Sequence, residues 1–381
     1  MANLQNNVSI LDITQGRRTY DCADRVSLLQ PNQTPIYSIL ARLESRKIVD
    51  PKFYWSEDAL LTRSTTTSFA YGTSETSIVV ADASIFVPND VIQITATGEN
   101  ILIGAVTVST NTLSSCVRGL GDTTPTNIGN AAEVLAIGPA VAESATSQRA
   151  VVTQVLHPWN VAQIFRKSVD VSETLANSKL VDSQNEVKRL LDKAATEFKR
   201  DIERAFLYGA RLETTSGGKG LWYTGGLATQ FITTLNTSLT GGSLTLNAMN
   251  TWLKSLFENG SDTRYIFGSS SFMHAIANIA EGKLETRQGD SMFGLDIKEW
   301  VNPFGKAYLV LHRDLRGTKY GSFALGLDMA NLRRAVLRDV QLKTNIQAND
   351  SDTVKAEYIS QEGIEVKHES THGIIRNFTV V

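Results

Sequence analysis

The stretch that decides the fold is residues 160–208, where the β-type segment NVAQIFRKSVDVSETL (160–175) is soon followed by VDSQNEVKRLLDKAATEFKRDIERAFLY (181–208). In the second segment apolar residues recur every three or four positions, as one face of an α-helix requires. They are Val187, Leu191, Ala194, Phe198, Ile202 and Ala205. At ~1.5 Å per residue such a helix spans roughly 40 Å, which is long beside an average helix of about a dozen residues. The pattern predicts a long amphipathic helix after a strand, although periodicity alone equally fits an ordinary surface helix.

Composition bounds the class of protein without identifying it. The chain has 381 residues, of which 42% are hydrophobic and 20% charged, with a formal net charge of −2. This length and apolar content predict a folded protein of two or three domains. The near-neutral charge argues against a protein whose main task is wrapping nucleic acid. The same charge suits most soluble enzymes, so it does not discriminate further between classes.

Neither a targeting segment nor a cysteine site is indicated by the sequence. The start, MANLQNNVSILDITQG (1–16), lacks the pattern of a signal peptide, and no run approaches about 18 apolar residues. We therefore expect no membrane segment and synthesis in the cytoplasm. Cys22 and Cys116 are too few and too far apart for a disulfide framework or a thiolate zinc site, so we interpret both as free, buried thiols.

Residues 1–50 predict an extended arm that carries one short helix. Pro31 and Pro35 interrupt the segment, and an apolar set follows at helical spacing: Ile36, Ile39, Leu40 and Leu43. A short helix with one apolar face must be covered by other protein atoms. The cover is either a neighbouring copy of the chain, which we favour, or the helix's own domain.

Residues 69–140 predict an independent all-β module. Short β-rich runs, TSIVVADA, DVIQITA, NILIGAVTVS, TLSSCVRG and AEVLAIG, are separated by Asn, Asp and Gly turns. Five or six strands at this spacing form a small barrel or sandwich. Before the module, FYWSEDALLTR (53–63) alternates large apolar and polar residues, which indicates an extended strand.

Two segments after the long helix differ from it in sequence pattern. The Gly-rich segment RLETTSGGKGLWYTGGLATQF (211–231) does not match the spacing of a phosphate-binding loop and is interpreted as a flexible loop. From residue 244 the pattern becomes helix, strand, helix, with Gly260 and Gly282 ending the two helices.

The sharpest candidate for catalysis is His368-Glu369-Ser370-Thr371-His372, which formally matches the HExxH signature of zinc proteases. That chemistry needs a helix, so that both histidines share one face beside the glutamate. The flanking residues alternate in a β-branched pattern, and Gly373 follows the second histidine. We therefore interpret the segment as a surface turn between strands. His368, Glu369 and His372 are then a chance match to the signature and not a metal site. No cofactor, metal or catalytic residue is predicted.

Several longer segments resemble one protein family. They are AQIFRKSVDVSETL (162–175), FKRDIERAFLYG (198–209), KAYLVLHRDLRG (306–317) and the run from GSFALGL to NFTV (321–380). With the order of arm, β-excursion, strand and long helix, they resemble the major capsid proteins of tailed double-stranded DNA phages. The resemblance covers residues 1–68 and 141–381, and the inserted module departs from the common plan.

This resemblance implies an α+β fold of the Hong Kong 97 type, also called the Johnson fold. Its parts would divide as follows: 1–50, the N-terminal arm; 51–68 and 141–170, the long hairpin (E-loop) and strands of the peripheral domain; 69–140, the inserted all-β module; 171–240, the spine helix and peripheral domain; 241–335, the axial domain; and 336–381, the strands that return through the peripheral and axial domains.

The resemblance also implies the function. The chain would be a structural protein rather than an enzyme, and would self-assemble into hexamers and pentamers of an icosahedral head, located in the virion and enclosing double-stranded DNA. Expected partners are other copies of the chain, a separate scaffolding protein, the portal protein and packaged DNA through weak contacts, with a decoration protein as an optional partner. Candidate contacts between subunits are Ile36, Leu40, Leu43, Tyr54, Trp55, Arg166, Lys188, Arg189, Lys199 and Arg200. For the basic residues, solvated faces and ion pairs compete with weak contacts to DNA phosphate.

Two alternatives stay open from the sequence. An encapsulin-like cargo compartment shares the fold, and a groove for a cargo peptide would favour it. A zinc metalloprotease rests on HESTH (368–372) alone.

Overall fold

In the computed structural model the described residues are 34–140, 143, 152–178, 186–280, 287–288 and 297–379. The chain divides into two compact units. The large unit contains the residues up to Trp55 and those from Pro158 onward, and the small unit is Ser56–His157. Each unit has its own apolar core.

The helices belong to the large unit, and the longest of them confirms the main prediction from the sequence. They are α1 (Pro35–Leu40), α2 (Glu173–Asn177), α3 (Glu186–Tyr208), α4 (Leu246–Phe257), α5 (Ser270–Ala280) and α6 (Gly317–Tyr320). The buried face of α3 includes Ala194, Phe198 and Ile202, as the periodicity predicted. The predicted first residues of this helix, 181–185, lie outside the described residues.

In the described part of both units, more residues lie in strands than in helices. In chain order they are β1 (Arg46–Lys47), β2 (Lys52–Tyr54), β3 (Ser64–Thr66), β4 (Ile78–Val79), β5 (Asp90–Ile94), β6 (Glu99–Leu102), β7 (Ala105–Thr107), β8 (Thr112–Ser114), β9 (Glu133–Pro139), β10 (Trp159–Val161), β11 (Gln163–Ser172), β12 (Leu212–Ser216), β13 (Lys219–Tyr223), β14 (Asn236–Ser238), β15 (Thr263–Gly268), β16 (Arg287–Gln288), β17 (Ile297–Asn302), β18 (Gly305–Leu311), β19 (Phe323–Leu327), β20 (Leu332–Thr344), β21 (Thr353–Val366) and β22 (Gly373–Arg376).

Two sheets organise the large unit. The first has the order β1-β20-β21-β11, in which the long strands β20 and β21 are antiparallel neighbours. The second has the order β14-β22-β19-β15-β18-β17-β16 and mixes parallel and antiparallel pairs. Phe198 and Ile202 of α3 pack in one core with Phe165 and Ile364 of the first sheet and Phe267 of the second. The long helix therefore joins the two sheets through a shared core.

The second sheet is covered by α4 and α5. Trp252 and Leu256 of α4 share a core with Phe272 of α5 and with Ile266 of β15, which lies inside the sheet. The predicted order of helix, strand, helix is confirmed by α4, β15 and α5. The assignment of this region as an axial domain stays a prediction.

The small unit contains the all-β module, with more strands than the sequence predicted. Strands β3-β9-β5-β6 form one sheet and β4-β8-β7 another, and their apolar side chains form a single core. The run NILIGAVTVS yields two strands because it breaks at Gly104, where a Cβ atom would lie 2.6 Å from the Ser115 carbonyl oxygen. Strand β3, which precedes residue 69, pairs with β9, and the predicted bounds of the module, 69–140, stay a prediction.

One buried ion pair organises the loops of this module. Arg118 Nε donates to Glu99 Oε1 at 2.6 Å, and both side chains are almost fully buried. Arg118 also donates to the carbonyl oxygens of Gly72 and Thr126, while Glu99 accepts from the Thr126 amide. Burial opposes ionisation of Glu99, but the hydrogen bonds from Arg118 hold its pKa below the usual value. The pair therefore fixes two segments of loop, 72–75 and 118–126.

Replacing Arg118 should loosen these loops. Arg118→Met leaves Glu99 as a buried, unpaired carboxylate, which costs about 3–5 kcal/mol. We expect faster hydrogen exchange in residues 72–75 and 118–126 of the full chain. Arg63→Met is the matched control, because Arg63 is exposed in the same unit and such changes cost about 0.5 kcal/mol or less. Equal exchange in the two variants would contradict this role of the ion pair.

Candidate assembly surfaces

The first turn of α1 is held by a carboxylate from the long helix. Glu203 Oε1 accepts from the Ile36 amide at 3.0 Å, and Oε2 accepts from the Tyr37 amide at 2.6 Å. His312 Nε2 lies 2.8 Å from Oε1, and both side chains are fully buried. The first amides of a helix lack partners within it, and Thr34 provides no side-chain cap, so Glu203 supplies the acceptors. The start of α1 is thereby fixed to α3.

Three of the candidate contacts between subunits, Ile36, Leu40 and Trp55, are buried within their own chain. Ile36 and Leu40 lie fully buried in the core of their own unit, and Leu43 packs half-buried against it. Trp55 is buried beside Phe53 in a smaller cluster. The apolar face of the short helix is covered by its own domain, where it packs with residues of α3 and of the first sheet.

Of the candidate aromatic contacts, Tyr54 is available at the surface, with 50% of its area exposed. It lies on β2, which pairs with β10 through Trp159. The ring of Trp159 is contacted by two cations, Lys52 Nζ at 4.0 Å and the Arg211 guanidinium at 3.8 Å from its centre. These cation-π contacts stabilise the position of the Trp159 ring beside β2.

Three of the candidate basic residues form ion pairs within the chain. Arg166 binds both carboxylate oxygens of Glu357 on the neighbouring strand β21. Arg189 binds Glu186 one turn earlier in α3, and Arg200 binds the buried Asp314 at 3.1 Å. These pairs agree with the interpretation as solvated faces and ion pairs. The other candidates, Lys188 and Lys199, are exposed on α3.

Apart from Val49, the most exposed large apolar side chains lie on the ribbon formed by residues 56–61 and 152–157. The two segments are joined by backbone hydrogen bonds between Glu57 and Leu156. Leu60 is 97% exposed, Val152 81% and Leu156 65%. Apolar side chains concentrated in this way mark an interaction surface. The sequence predicted an extended strand at 53–63, but it did not show that residues 152–156 would expose apolar side chains.

Two further hairpins expose apolar residues. The segment 211–231, interpreted as a flexible loop, in fact contains the antiparallel pair β12 and β13, so that interpretation is wrong. Gly217 and Gly218 both have positive φ, as a tight two-residue hairpin turn requires. Tyr223 on this hairpin is 40% exposed, and Leu342 on the outer half of β20 is 45% exposed. Both exposures were missed, because alternation within a strand does not say which face is covered.

The HESTH segment forms a single 3₁₀ turn, Glu369–Thr371, between β21 and β22. His368 has a left-handed backbone and an exposed side chain, whereas His372 is fully buried. The carboxylate of Glu369 accepts hydrogen bonds from the amides and hydroxyls of Thr233 and Thr234. The three side chains therefore have separate surroundings. Among the described residues, no group of three or more His, Cys, Asp or Glu side chains is placed to hold a metal ion.

The prediction of a turn is confirmed, but its description as a surface turn is wrong at His372. Nδ1 of this ring accepts a hydrogen bond from the Asp328 amide at 3.2 Å, which ties the turn to the residue after β19. Burial lowers the pKa of His372 to about 4, with the nearby Asp328 opposing that change. His372 is therefore a neutral hydrogen-bond acceptor in the core.

The remaining candidates concern cysteine and membrane contact. Cys116 is a free, buried thiol, and burial raises its pKa to about 11; Cys22 lies outside the described residues. No helix in the described part of the chain is long and apolar enough to cross a membrane.

Loss of the Glu203 carboxylate should destabilise the large unit strongly. Glu203→Ala leaves the amides of Ile36 and Tyr37 and the ring of His312 buried without their acceptor, which costs about 3–5 kcal/mol. Glu197→Ala is the control on the same helix, because its ion pair with Lys167 is half-exposed and is worth about 1 kcal/mol or less. Urea unfolding of the unassembled subunit measures both. Similar losses in the two variants would contradict the account.

The stability of the large unit should depend on pH through His372. Its pKa is lower in the folded chain than in the unfolded chain, where it is about 6.5, so its contribution is complete above pH 6.5. The contribution is lost as pH falls towards 4, by up to about 3 kcal/mol. His372→Asn keeps an acceptor and removes this titration. The difference in unfolding free energy between the two proteins should therefore change between pH 6.5 and 4, and a constant difference would refute the assignment.

Comparison with known proteins identifies the family. A family model described as the SU10 major capsid protein matches residues 5–379. No curated protein matches the chain.

Solved structures support the fold. The capsid of a native GTA particle has a TM-score of 0.55 at 11% identity, covering 98% of this chain and 99% of that one. Structures from Mycobacterium phage Cain and Mycobacterium phage Ogopogo both have TM-scores of 0.51, at 9% and 10% identity. The Cain match covers 97% of this chain and 98% of that one, and the Ogopogo match 95% and 97%. At such identities the likeness concerns the fold alone, and it confirms the α+β capsid fold of the Hong Kong 97 type. With the family model spanning nearly its whole length, the chain belongs to the SU10 major capsid protein family.

Proposed function

We propose that this major capsid protein forms hexameric and pentameric rings and closes an icosahedral phage head around double-stranded DNA. The observation that carries the proposal is the ribbon of residues 56–61 and 152–157, which exposes Leu60, Val152 and Leu156 beside a chain whose two units have complete cores of their own. The folded subunit does not need this apolar surface for its own core. A neighbouring copy that covers it would remove apolar area from water in every subunit of the shell.

The proposed division of labour follows the predicted domains. Residues 51–68 and 141–170 would form the E-loop and strands of the peripheral domain, with the module of residues 69–140 inserted in it. The second sheet with α4 and α5 would serve as the axial domain. The predicted arm, residues 1–50, would contact neighbouring subunits, and its residues 1–33 lie outside the described residues.

Further partners belong to the same proposal. A separate scaffolding protein would guide assembly, a portal protein would occupy one vertex, and a decoration protein could bind the inserted module. Contacts with packaged DNA would be weak, because Arg166, Arg189 and Arg200 already bind carboxylates of their own chain. The chain would act without catalysis, in the virion.

Electron microscopy with sedimentation of the purified protein tests the assembly. The proposal predicts uniform polyhedral shells or ring-shaped oligomers, and particles from a lysate should contain DNA. A persistent monomer at high concentration would refute assembly. Shells that contain protein cargo and no nucleic acid would refute the phage head and support the encapsulin-like alternative.

A charged residue on the ribbon should prevent assembly without unfolding the subunit. Leu60→Asp places a carboxylate where a neighbouring subunit would pack, and multivalent closure multiplies a small loss per contact. We expect at least about a tenfold fall in the fraction that sediments as shells. Leu60→Met is the control, because it keeps an apolar side chain of similar volume at the same position. Equal assembly of both variants, with unchanged circular dichroism, would contradict the role of the ribbon.

A further inference from the structure

A polar cavity lies at the β14 edge of the second sheet. Its volume is 310 Å³, and its lining includes Asn236 of β14, Lys319 and Tyr320 of α6, Arg376 of β22 and the following Asn377. Strands β14 and β22 are parallel neighbours, with Ser238 opposite Arg376. The cavity is therefore built by well-paired strands and the helix α6 within one compact unit.

Two cations on this lining have no anion among the described residues. Neither Lys319 nor Arg376 forms an ion pair with a carboxylate in the described part of the chain, whereas most other arginines near buried acids do. The Nε atom of Arg376 is buried without a hydrogen-bond partner, and so is Oδ1 of Asn236. Four other arginines of the described residues also have a buried Nε without a hydrogen-bond partner, so what distinguishes Arg376 is its place on a cavity lining without an ion pair to a described carboxylate. Buried polar atoms are usually paired, and a ligand in the cavity would supply the missing partner.

A carboxylate does lie close to the cavity, but its hydrogen bonds are made elsewhere. Glu369 Oε1 accepts from the amide and hydroxyl of Thr233, a lining residue, and from those of Thr234. Glu369 makes no ion pair with Arg376 or Lys319 in the described structure. The positive charge of the cavity is thus not neutralised from within.

We propose that this cavity binds a phosphate group. The planar guanidinium of Arg376 suits two oxygens of a phosphate, and Lys319 adds a second positive charge that a tetrahedral anion can also contact. At about 30 Å³ per water, the cavity has room for about ten waters, which is enough for a phosphate ester. The source of the phosphate is either a free ion or nucleotide, or the phosphodiester backbone of DNA. The proposal does not depend on whether the chain closes a shell.

Binding can be measured on the full-length unassembled subunit. Equilibrium dialysis with radiolabelled inorganic phosphate and with a labelled mononucleotide forms one arm, and a short labelled duplex DNA forms the other. The variants are Arg376→Gln and Lys319→Gln, which remove one charge each. Lys343→Gln is the control, because Lys343 is an exposed lysine on β20 and does not line the cavity.

We expect saturable binding that weakens at least about tenfold in Arg376→Gln and in Lys319→Gln, and changes less than about twofold in Lys343→Gln. Binding in the first arm identifies a free phosphate or nucleotide as the source, and binding of duplex DNA alone identifies the phosphodiester. Both results support the site. If Arg376→Gln fails to fold, Lys319→Gln decides, because Lys319 is exposed.

The proposal is overturned if no arm shows saturable binding. It is equally overturned if both cavity variants bind as tightly as Lys343→Gln, since the phosphate would then be held elsewhere. Failure of shell assembly in the electron microscope, by contrast, leaves these measurements unaffected.

Discussion

The stability of the large unit depends on the hydrogen bonds made by one buried carboxylate. Glu203 lies in the last turns of α3 with no exposed surface, and a charge in that position is costly unless it is fully hydrogen-bonded. Its partners come from the segment before the long helix and from the loop after β18, at Ile36, Tyr37 and His312. One side chain therefore ties together three distant parts of the chain. Ile36 and Tyr37 also belong to the apolar core that the two sheets share.

The small unit also buries charged groups, but there a carboxylate and a guanidinium bind each other. Arg118 and Glu99 form a buried pair that also binds backbone atoms of two loops, so the module has polar anchors as well as an apolar core. Each unit has an apolar core of its own, so the large apolar side chains left exposed on the ribbon are not needed for that core. Leu60, Val152 and Leu156 are exposed on a ribbon, and this is the arrangement expected of a subunit designed to be covered by its neighbours.

Much of this fold could be predicted from the sequence, because strong periodicity dominates where elements are long. The helix α3 and the order of α4, β15 and α5 follow from apolar spacing, and the turn at 368–372 follows from its β-branched flanks. Shorter elements were harder. The hairpin β12 and β13 was missed because its glycines resemble a flexible loop, although Gly217 and Gly218 supply the positive φ of a tight turn.

The candidate contacts could be predicted less well, because burial is decided by tertiary packing. Ile36 and Leu40 would be apolar whether a neighbouring subunit or their own domain covered them. Only the structure shows that their own domain does so. The ion pairs of Arg166 and Arg200 join residues more than 100 positions apart in the chain, at Glu357 and Asp314, beyond the reach of local spacing.

The central claim is that a subunit with complete cores uses its exposed ribbon for assembly. Hydrogen exchange measured on assembled particles and on unassembled subunits tests it most directly, because backbone protection reports which surfaces become covered. The account predicts new protection in residues 56–61 and 152–157 on assembly, with protection in α1 and α3 unchanged. Particles in which the ribbon exchanges as fast as in the free subunit would contradict it.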